Sequence, residues 1–437
     1  MPQAQTSAST VGPAAAPRRL VVLSQLYFFC VLAAYYMLRP LRDQFSSAVG
    51  STNLWPFWVG VFVAALAVTP VFGFLVKRYP RERFIPVSYG FFIACILAFV
   101  PLFAAIDRIG PRLLGIAFYI WLSVFSLFVV SVFWSFMADF WANDQAKRLF
   151  GFISAGGSLG AIVGPAVTAW VAPLVGIKNL LLVSAIVLGA SIACIVMLLR
   201  IRARQRADGG RTYLRSAEAT GEKPSIWEGV VRIARSPYLI GICIFLVCYT
   251  LLGTLLYYQQ TQLVPEVVKT PEERTRLFAS VDLAVNVLTV IVQMFLTGRL
   301  LSRIGMTAML AALPALSIVG FITLGAMTVL PVLVAFGVLR RAGEYAISKP
   351  SREALFTVVP REEKYQAKNV IDTVIHRGGD AASSWLAAGL AALGLSLSGM
   401  AFTGVPVALV WLATAFYLGR EHDRRRAAMP GPAGDAP

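Results

Sequence analysis

Along most of this chain apolar residues come in long blocks, without the period-two alternation of strands. The blocks run Leu20–Leu38, Leu54–Val76, Phe84–Ile106, Leu113–Met137, Phe150–Val171 and Asn179–Leu199. After a charged interruption they continue as Leu239–Tyr258, Val281–Gly298, Met306–Leu324, Thr328–Leu339, Gly378–Leu397 and Met400–Leu418. Most approach the ~20 residues that carry a helix across a bilayer, where a helix satisfies its own backbone. The pattern predicts an all-α polytopic membrane protein with twelve transmembrane helices.

Composition agrees. Of 437 residues 57% are hydrophobic and 14% charged, more apolar side chains than one water-soluble core can hide. A formal charge of +17 would suggest nucleic acid in a soluble protein. Here its placement matters more: with a cytoplasmic amino terminus, 30 of the 39 Lys and Arg fall in inner loops and tails and 8 in outer loops, Arg377 lying in the eleventh block. That bias places both termini inside and requires no nucleic-acid partner. Residues 1–19, rich in Ala, Ser, Pro and Gln, read as a disordered cytoplasmic tail, and residues 419–437 as a second tail. Cys30, Cys95, Cys194, Cys243 and Cys248 all sit in apolar blocks without metal-ligand spacing, so they read as packing residues.

Residues 200–238 form a central cytoplasmic loop between two sets of six blocks, 20–199 and 239–418. A six-plus-six layout predicts an internal repeat. Gly73-Phe-Leu75-Val-Lys77-Arg78 and Gly298-Arg-Leu300-Leu-Ser302-Arg303 both fit G-x-L-x-x-R, 225 residues apart. Both resemble the loop signature of the major facilitator superfamily, with Lys77 and Ser302 where that signature has Asp. The resemblance implies two pseudo-symmetric six-helix bundles. The plainer alternative is that a Gly followed by basic residues ends a helix at the cytoplasmic face.

Ionisable groups in or beside spans are costly unless they face protein or water, which makes each a candidate site. Arg39 and Arg42, at the outer end of the first block, are three residues apart; on a continuing helix they could clamp a phosphate or carboxylate. Alternatively both snorkel to outer headgroups while Asp43 pairs locally. Asp139 and Lys147 read as cap and anchor residues, and Gly156, Gly160 and Gly164 as a stripe for close helix packing. In Arg340-Arg341-Ala-Gly-Glu344 the acid follows two arginines and is placed to stay ionised in a polar cavity; an ordinary positive-inside loop is the alternative. From Lys368 to Ser384, an ideal helical wheel puts Lys368, Asn369, Asp372, Thr373, His376, Arg377, Asp380, Ser383 and Ser384 on one half. That half is expected to line a watery pathway, with a helix lying on the inner membrane surface as its rival.

Three segments resemble the nucleotide antiporter family, the ATP/ADP translocases of plastids and obligate intracellular bacteria with their broader bacterial relatives, a branch near the major facilitators. Leu38-Arg39-Pro40-Leu41-Arg42-Asp43 is similar to the family's L-R-D-x-K-D, with Arg42 where the family has its substrate-associated Lys. Phe133-Trp134-Ser-Phe-Met-Ala and Gln145-Ala-Lys147-Arg148-Leu-Phe150 resemble F-W-G-F-A-N and E-A-K-R-F-Y. Lys349-Pro350-Ser-Arg352-Glu353, Lys364-Tyr-Gln-Ala-Lys368-Asn-Val-Ile-Asp372 and Arg377-Gly-Gly379-Asp380 resemble P-T-K-E, K-x-K-G-K-A-A-I-D and R-L-G-K-S. In the last motif Asp380 stands where the family has Lys, and a reversed charge on a polyphosphate path argues against ATP itself.

The resemblance implies a secondary active transporter that moves a small anionic solute, a nucleotide or other phosphorylated metabolite, by alternating access in a bacterial inner membrane. The candidate substrate-binding residues are Arg39, Arg42, Arg341, Glu344, Asp372, His376, Arg377 and Asp380. Glu344, Asp372 and Asp380 are the acids that could carry a proton if transport is symport. Expected partners are the solute and membrane lipids, with a monomeric chain and no cofactor or metal. A transporter-like receptor and a lipid flippase are the alternatives. An enzyme is not expected, because His376 and His422 are the only histidines and no nucleophile sits beside a base.

Overall fold

The structure, a computed structural model, describes residues 18–49, 55–79, 81–141, 143–207, 226–360, 367–368 and 370–428. All regular elements among them are helical. In chain order they are α1 (Arg18–Val49), α2 (Trp55–Arg78), α3 (Arg81–Ala104), α4 (Ile106–Ile109), α5 (Pro111–Phe140), α6 (Asn143–Ala207) and α7 (Ile226–Arg235). There follow α8 (Pro237–Val267), α9 (Pro271–Val292), α10 (Gly298–Ala326), α11 (Leu330–Gly343), α12 (Lys349–Leu355), α13 (His376–Ala392) and α14 (Leu397–Ala427). Among the described residues eight stretches are long and apolar enough to cross a membrane, and α2 adds a shorter apolar stretch, Pro56–Val68.

Local sequence explains where several helices begin. Ser236, Thr270 and Ser396 each cap a helix with the side-chain oxygen, accepting from the amides of Leu239, Glu273 and Gly399. The first two are followed by Pro237 and Pro271 at the opening position, where a missing N–H costs nothing. Breaks are as local as starts. α6 is 65 residues long, about 98 Å if straight and about three bilayer cores. It is broken by a kink at Gly176, whose φ of 76° and ψ of 169° suit a residue without Cβ. Gly305 breaks α10 in the same way. No atom lies within 4 Å of a Cβ added at Gly176, so Gly176→Ala isolates backbone strain. It is expected to lower stability by about 1–3 kcal/mol, read as a lower melting midpoint of the purified protein in detergent.

Among the described residues three π turns interrupt the helices, at Gln293–Thr297 after α9, Glu344–Ser348 between α11 and α12, and Ile371–Ile375 before α13. Each adds a residue to a turn and rotates everything beyond it. The ideal wheel drawn from Lys368 to Ser384 therefore does not hold: a π turn lies inside it. Other expectations shift too. α1 runs through Pro40 to Val49, so Arg39 and Arg42 lie inside a helix and not at its outer end. Arg340 and Arg341 belong to α11, whose last turn they occupy, and not to a loop. The hydrophilic stretch at 200–238 holds the end of α6 and the amphipathic α7, residues 208–225 lying outside those described.

Apolar side chains form two cores. One draws on residues from Leu20 to Leu198, the other on residues from Tyr238 to Leu418 together with Phe57, Val61 and Tyr119. Large apolar side chains such as Trp170, Leu174 and Ile186 point outward, as a lipid-facing surface requires. α1 packs most extensively on α6. Thr168 and Ser184 donate to the carbonyls of Met37 and Ala34 across that contact.

Candidate functional site

Among the described residues the interior charges gather in clusters, one of them centred on Asp282. Asp282, on α9, is 1% exposed. Arg341 Nη2 donates to its Oδ1 at 2.5 Å, and Arg39 Nε stands 3.7 Å from its Oδ2. Arg39 comes from α1 and Arg341 from α11, so the carboxylate bridges the two parts of the chain that build the two cores. Helix lengths agree on the depth. Arg39 is ten residues before the end of α1, and Asp282 and Arg341 are each eleven residues past the starts of α9 and α11. At 1.5 Å per residue that is roughly 15–17 Å, half of a ~30 Å hydrocarbon core.

The triad is asymmetric. The side chains of Arg39 and Arg341 are 13% and 24% exposed while Asp282 is closed off, so the acid is the more deeply buried partner. Arg39 Nε and Asp282 Oδ2 lack hydrogen-bond partners among the described residues, so this half of the bridge is Coulombic only.

Two further clusters flank it. Arg42 pairs with its neighbour Asp43 at 3.0 Å and lies over the Tyr119 ring at 4.8 Å. Tyr257 of α8 approaches Asp43 Oδ1 at 3.5 Å and shares a hydrogen bond of 2.5 Å with Ser46. Arg39 and Arg42 thus have different partners and do not form a common clamp in this structure. On the other side Glu344 pairs with Arg352 at 3.3 Å, and both are buried. Arg340, also buried, donates to the carbonyl of Tyr249 at 2.8 Å and stacks over its ring, with Arg352 6.0 Å from the same ring. Among the described residues no carboxylate lies within ion-pair distance of Arg340, and its Nε has no partner. A guanidinium in that state is a ready partner for an incoming anion.

His376 and Asp380 face each other across one turn of α13 at 3.6 Å, and Ser383 and Ser384 are buried beyond them. The side chains of Asp372 and Arg377 lie outside those described, as do those of Lys77, Lys147, Ser302 and Arg303. Lys368 bridges to Glu353.

Asp282 is the residue that reading the sequence missed, although a signal exists. Asp282, Asn286, Thr289 and Gln293 follow one another at steps of four, three and four in an otherwise apolar block, one polar stripe along a helix. Asn286 donates to the Ala161 carbonyl of α6, and Gln293 to the Tyr345 carbonyl. Arg340 and Arg352, quoted within motifs, also take part alongside Tyr249 and Tyr257.

Comparison with known proteins fixes the class. The profile of the TLC ATP/ADP transporter family matches residues 115–422, well over half of the chain. The chain belongs to this family. The chain is similar to ADP,ATP carrier protein 2 of Chlamydia pneumoniae, 23% identical over 94% of this chain and 89% of that one. ADP,ATP carrier protein 1 of Chlamydia muridarum is 22% identical over 70% of this chain and 64% of its own length. Among solved structures, an auto-inhibited POT family peptide transporter aligns over 96% of this chain and 99% of its own, at 14% identity and a TM-score of 0.62. The nucleoside transporter NupG aligns over 93% and 99% at 11% identity and 0.60. At these identities the structures establish the fold alone, which is that of major facilitator-type transporters. This TLC family protein is a multi-pass membrane transporter, not an enzyme.

Proposed function

We propose that this TLC family protein is a secondary active carrier for a small phosphorylated anion, a nucleotide with fewer charges than ATP or a comparable metabolite. Twelve membrane crossings in two six-helix bundles, residues 20–199 and 239–418, would rock about the Arg39–Asp282–Arg341 level, in a bacterial inner membrane with both termini cytoplasmic. The observation that carries the reading is Arg340, a buried guanidinium on the ring of Tyr249 with no carboxylate within ion-pair distance among the described residues. The wider charge balance supports it. Arg39, Arg42, Arg340, Arg341 and Arg352 give five positive charges, and Asp43, Asp282, Glu344 and Asp380 four negative ones, a surplus of one with His376 neutral. Arginine forks suit phosphate oxygens, and the adjacent tyrosine faces suit a planar base. Ser46 and Trp58, both meeting Tyr257, tie the bundles together toward the Val49 end, a contact that opening on that side must break. His376 and Asp380 are the further candidates on the path, with Asp372 and Arg377 on the same helical segment.

The test is uptake into proteoliposomes of labelled AMP, ADP, ATP and inorganic phosphate beside the uncharged nucleoside. At least one phosphorylated probe should cross and the nucleoside should not. Arg340→Gln should weaken that probe's apparent affinity by about 10–100-fold, the worth of one charge-assisted hydrogen bond. Equal flux of nucleoside and phosphate, or lipid movement with no solute flux, would overturn the reading.

A further inference from the structure

A carboxylate buried at 1% exposure between two partly open arginines has a role that anion binding alone does not need. We infer that this carrier moves a proton together with its anion, and that Asp282 is the group that holds the proton; the inference rests on the anion-carrier reading above. The substrate's oxygens and the Asp282 carboxylate need the same donors, the guanidinium N–H groups of Arg39 and Arg341. The arginine side chains are partly exposed and the acid is closed off, so an arriving anion meets the cations first and draws them off the carboxylate.

Among the described residues the one other cation acting on Asp282 is Arg42, and it is already paired with Asp43. The charged and titratable groups acting on or beside Asp282 among the described residues are Arg39, Arg42 and Tyr36 from α1, and Arg341 with Tyr345 from α11 and the π turn after it, Glu344 lying beyond Tyr345. From α6 the neighbouring contact is the neutral Ala161 carbonyl, taken by Asn286, and the π turn after α9 brings Gln293, also neutral. Deprived of both arginines, an ionised carboxylate in this setting is strongly disfavoured against its neutral acid.

The step balances simply. On the open side an aqueous proton forms an O–H bond with Asp282 Oδ2, the oxygen that lacks a hydrogen bond, while the anion takes the arginine N–H donors. No bond in the solute changes. On the opposite side the anion leaves, the arginines recapture the carboxylate, the O–H bond breaks and the proton passes to water. One proton travels with each anion, and the empty carrier returns with its midplane charges paired.

The experiment uses the full chain in proteoliposomes with the membrane potential clamped by equal potassium and valinomycin. Labelled AMP, ADP, ATP and inorganic phosphate are the probes, and entrapped pyranine reads internal pH. An inside-alkaline gradient of one pH unit should raise accumulation of the transported probe up to about tenfold, the ratio a one-to-one coupling permits, and uptake should acidify the lumen. In Asp282→Asn the gradient response should vanish, because no proton can be taken up. Net uptake should then fall by about tenfold or more, since an empty carrier with two unneutralised arginines cannot readily return, whereas exchange against internal probe falls less. Asp282→Glu should keep gradient-driven accumulation while moving the pH midpoint of uptake.

If a probe accumulates in the native protein with neither gradient response nor acidification, proton coupling is wrong and the anion-carrier reading stands. A native gradient response that survives in Asp282→Asn, or an unmoved midpoint in Asp282→Glu, would place the proton elsewhere. If no probe crosses, the reading beneath the inference fails and the inference with it. The native protein and the Glu variant carry the test even where the Asn variant is not recovered folded.

Discussion

Replacing Arg341 with alanine is expected to cost about 3–5 kcal/mol of stability and to abolish transport, because it strands a buried carboxylate. Arg341 supplies the hydrogen bond to Asp282, at 2.5 Å; the remaining arginine, Arg39, is 3.7 Å away without one. Water cannot compensate an acid that is 1% exposed. Removing the acid as well should reverse most of the damage, since the charge then left without a partner is that of Arg39, which is partly exposed and can be solvated where the acid cannot. Arg341→Ala with Asp282→Ala is therefore expected to melt closer to the native protein than Arg341→Ala alone, a coupling of about 1–3 kcal/mol in a double-mutant cycle. Transport should stay absent in the double variant. Thermal midpoints in detergent and flux in proteoliposomes separate the two effects: equal melting of the single and double variants would mean that Arg341 contributes packing and not charge. Asp282→Ala should be milder than Arg341→Ala, because Arg39 and Arg341 are partly exposed and can be solvated where the acid cannot.

What the sequence made legible follows from the solvent. A bilayer demands long apolar stretches, so blocks such as Leu113–Met137 correspond to helices, here α5. The motifs at Arg39, Arg340 and Asp380 likewise pointed to the interior charges. The helices that carry those charges are less plain. α11 has 14 residues of regular α-helix and α13 has 17; both adjoin π turns whose extra residue no hydropathy window detects. The turn at Ile371–Ile375 rotates His376 and Asp380 relative to Asp372, so a wheel with one fixed angle cannot say which face they share. Pairing was still harder to foresee. Glu344 sits three residues after Arg341 yet bonds Arg352, and Arg341 reaches across to Asp282. Those choices depend on how α1, α9 and α11 meet, which is a property of tertiary packing. Counting Arg340 and Arg341 among inner-loop charges assigned to topology what the structure assigns to the interior.

Gly160→Leu should prevent folding of the amino-terminal helices altogether, the other large effect expected of a single change. A Cβ at Gly160 would stand 2.4 Å from the Phe29 carbonyl oxygen and 3.0 Å from the Ala33 amide; at Gly156 it would stand 2.3 Å from the Gln25 carbonyl, and at Gly164 2.7 Å from that of Ala33. These are backbone atoms of α1, which no rotamer change can clear. Relief requires moving α1 away from α6, its most extensive partner, and breaking the bonds from Thr168 and Ser184 to α1 carbonyls. Overpacking in a core that can adjust costs about 1–3 kcal/mol; here the two helices would have to separate along their length, so the loss should exceed that range. Gly160→Ala adds that clashing Cβ and nothing beyond it, so it should cost less than Gly160→Leu, which tests the steric argument by size. The shift would also displace Arg39, ten residues along α1 from Phe29, from Asp282. The Ala variant, recovered folded, is therefore expected to transport poorly as well as melt early. Normal flux at a lowered midpoint would show that the α1–α6 seam sustains the fold without positioning the charged site.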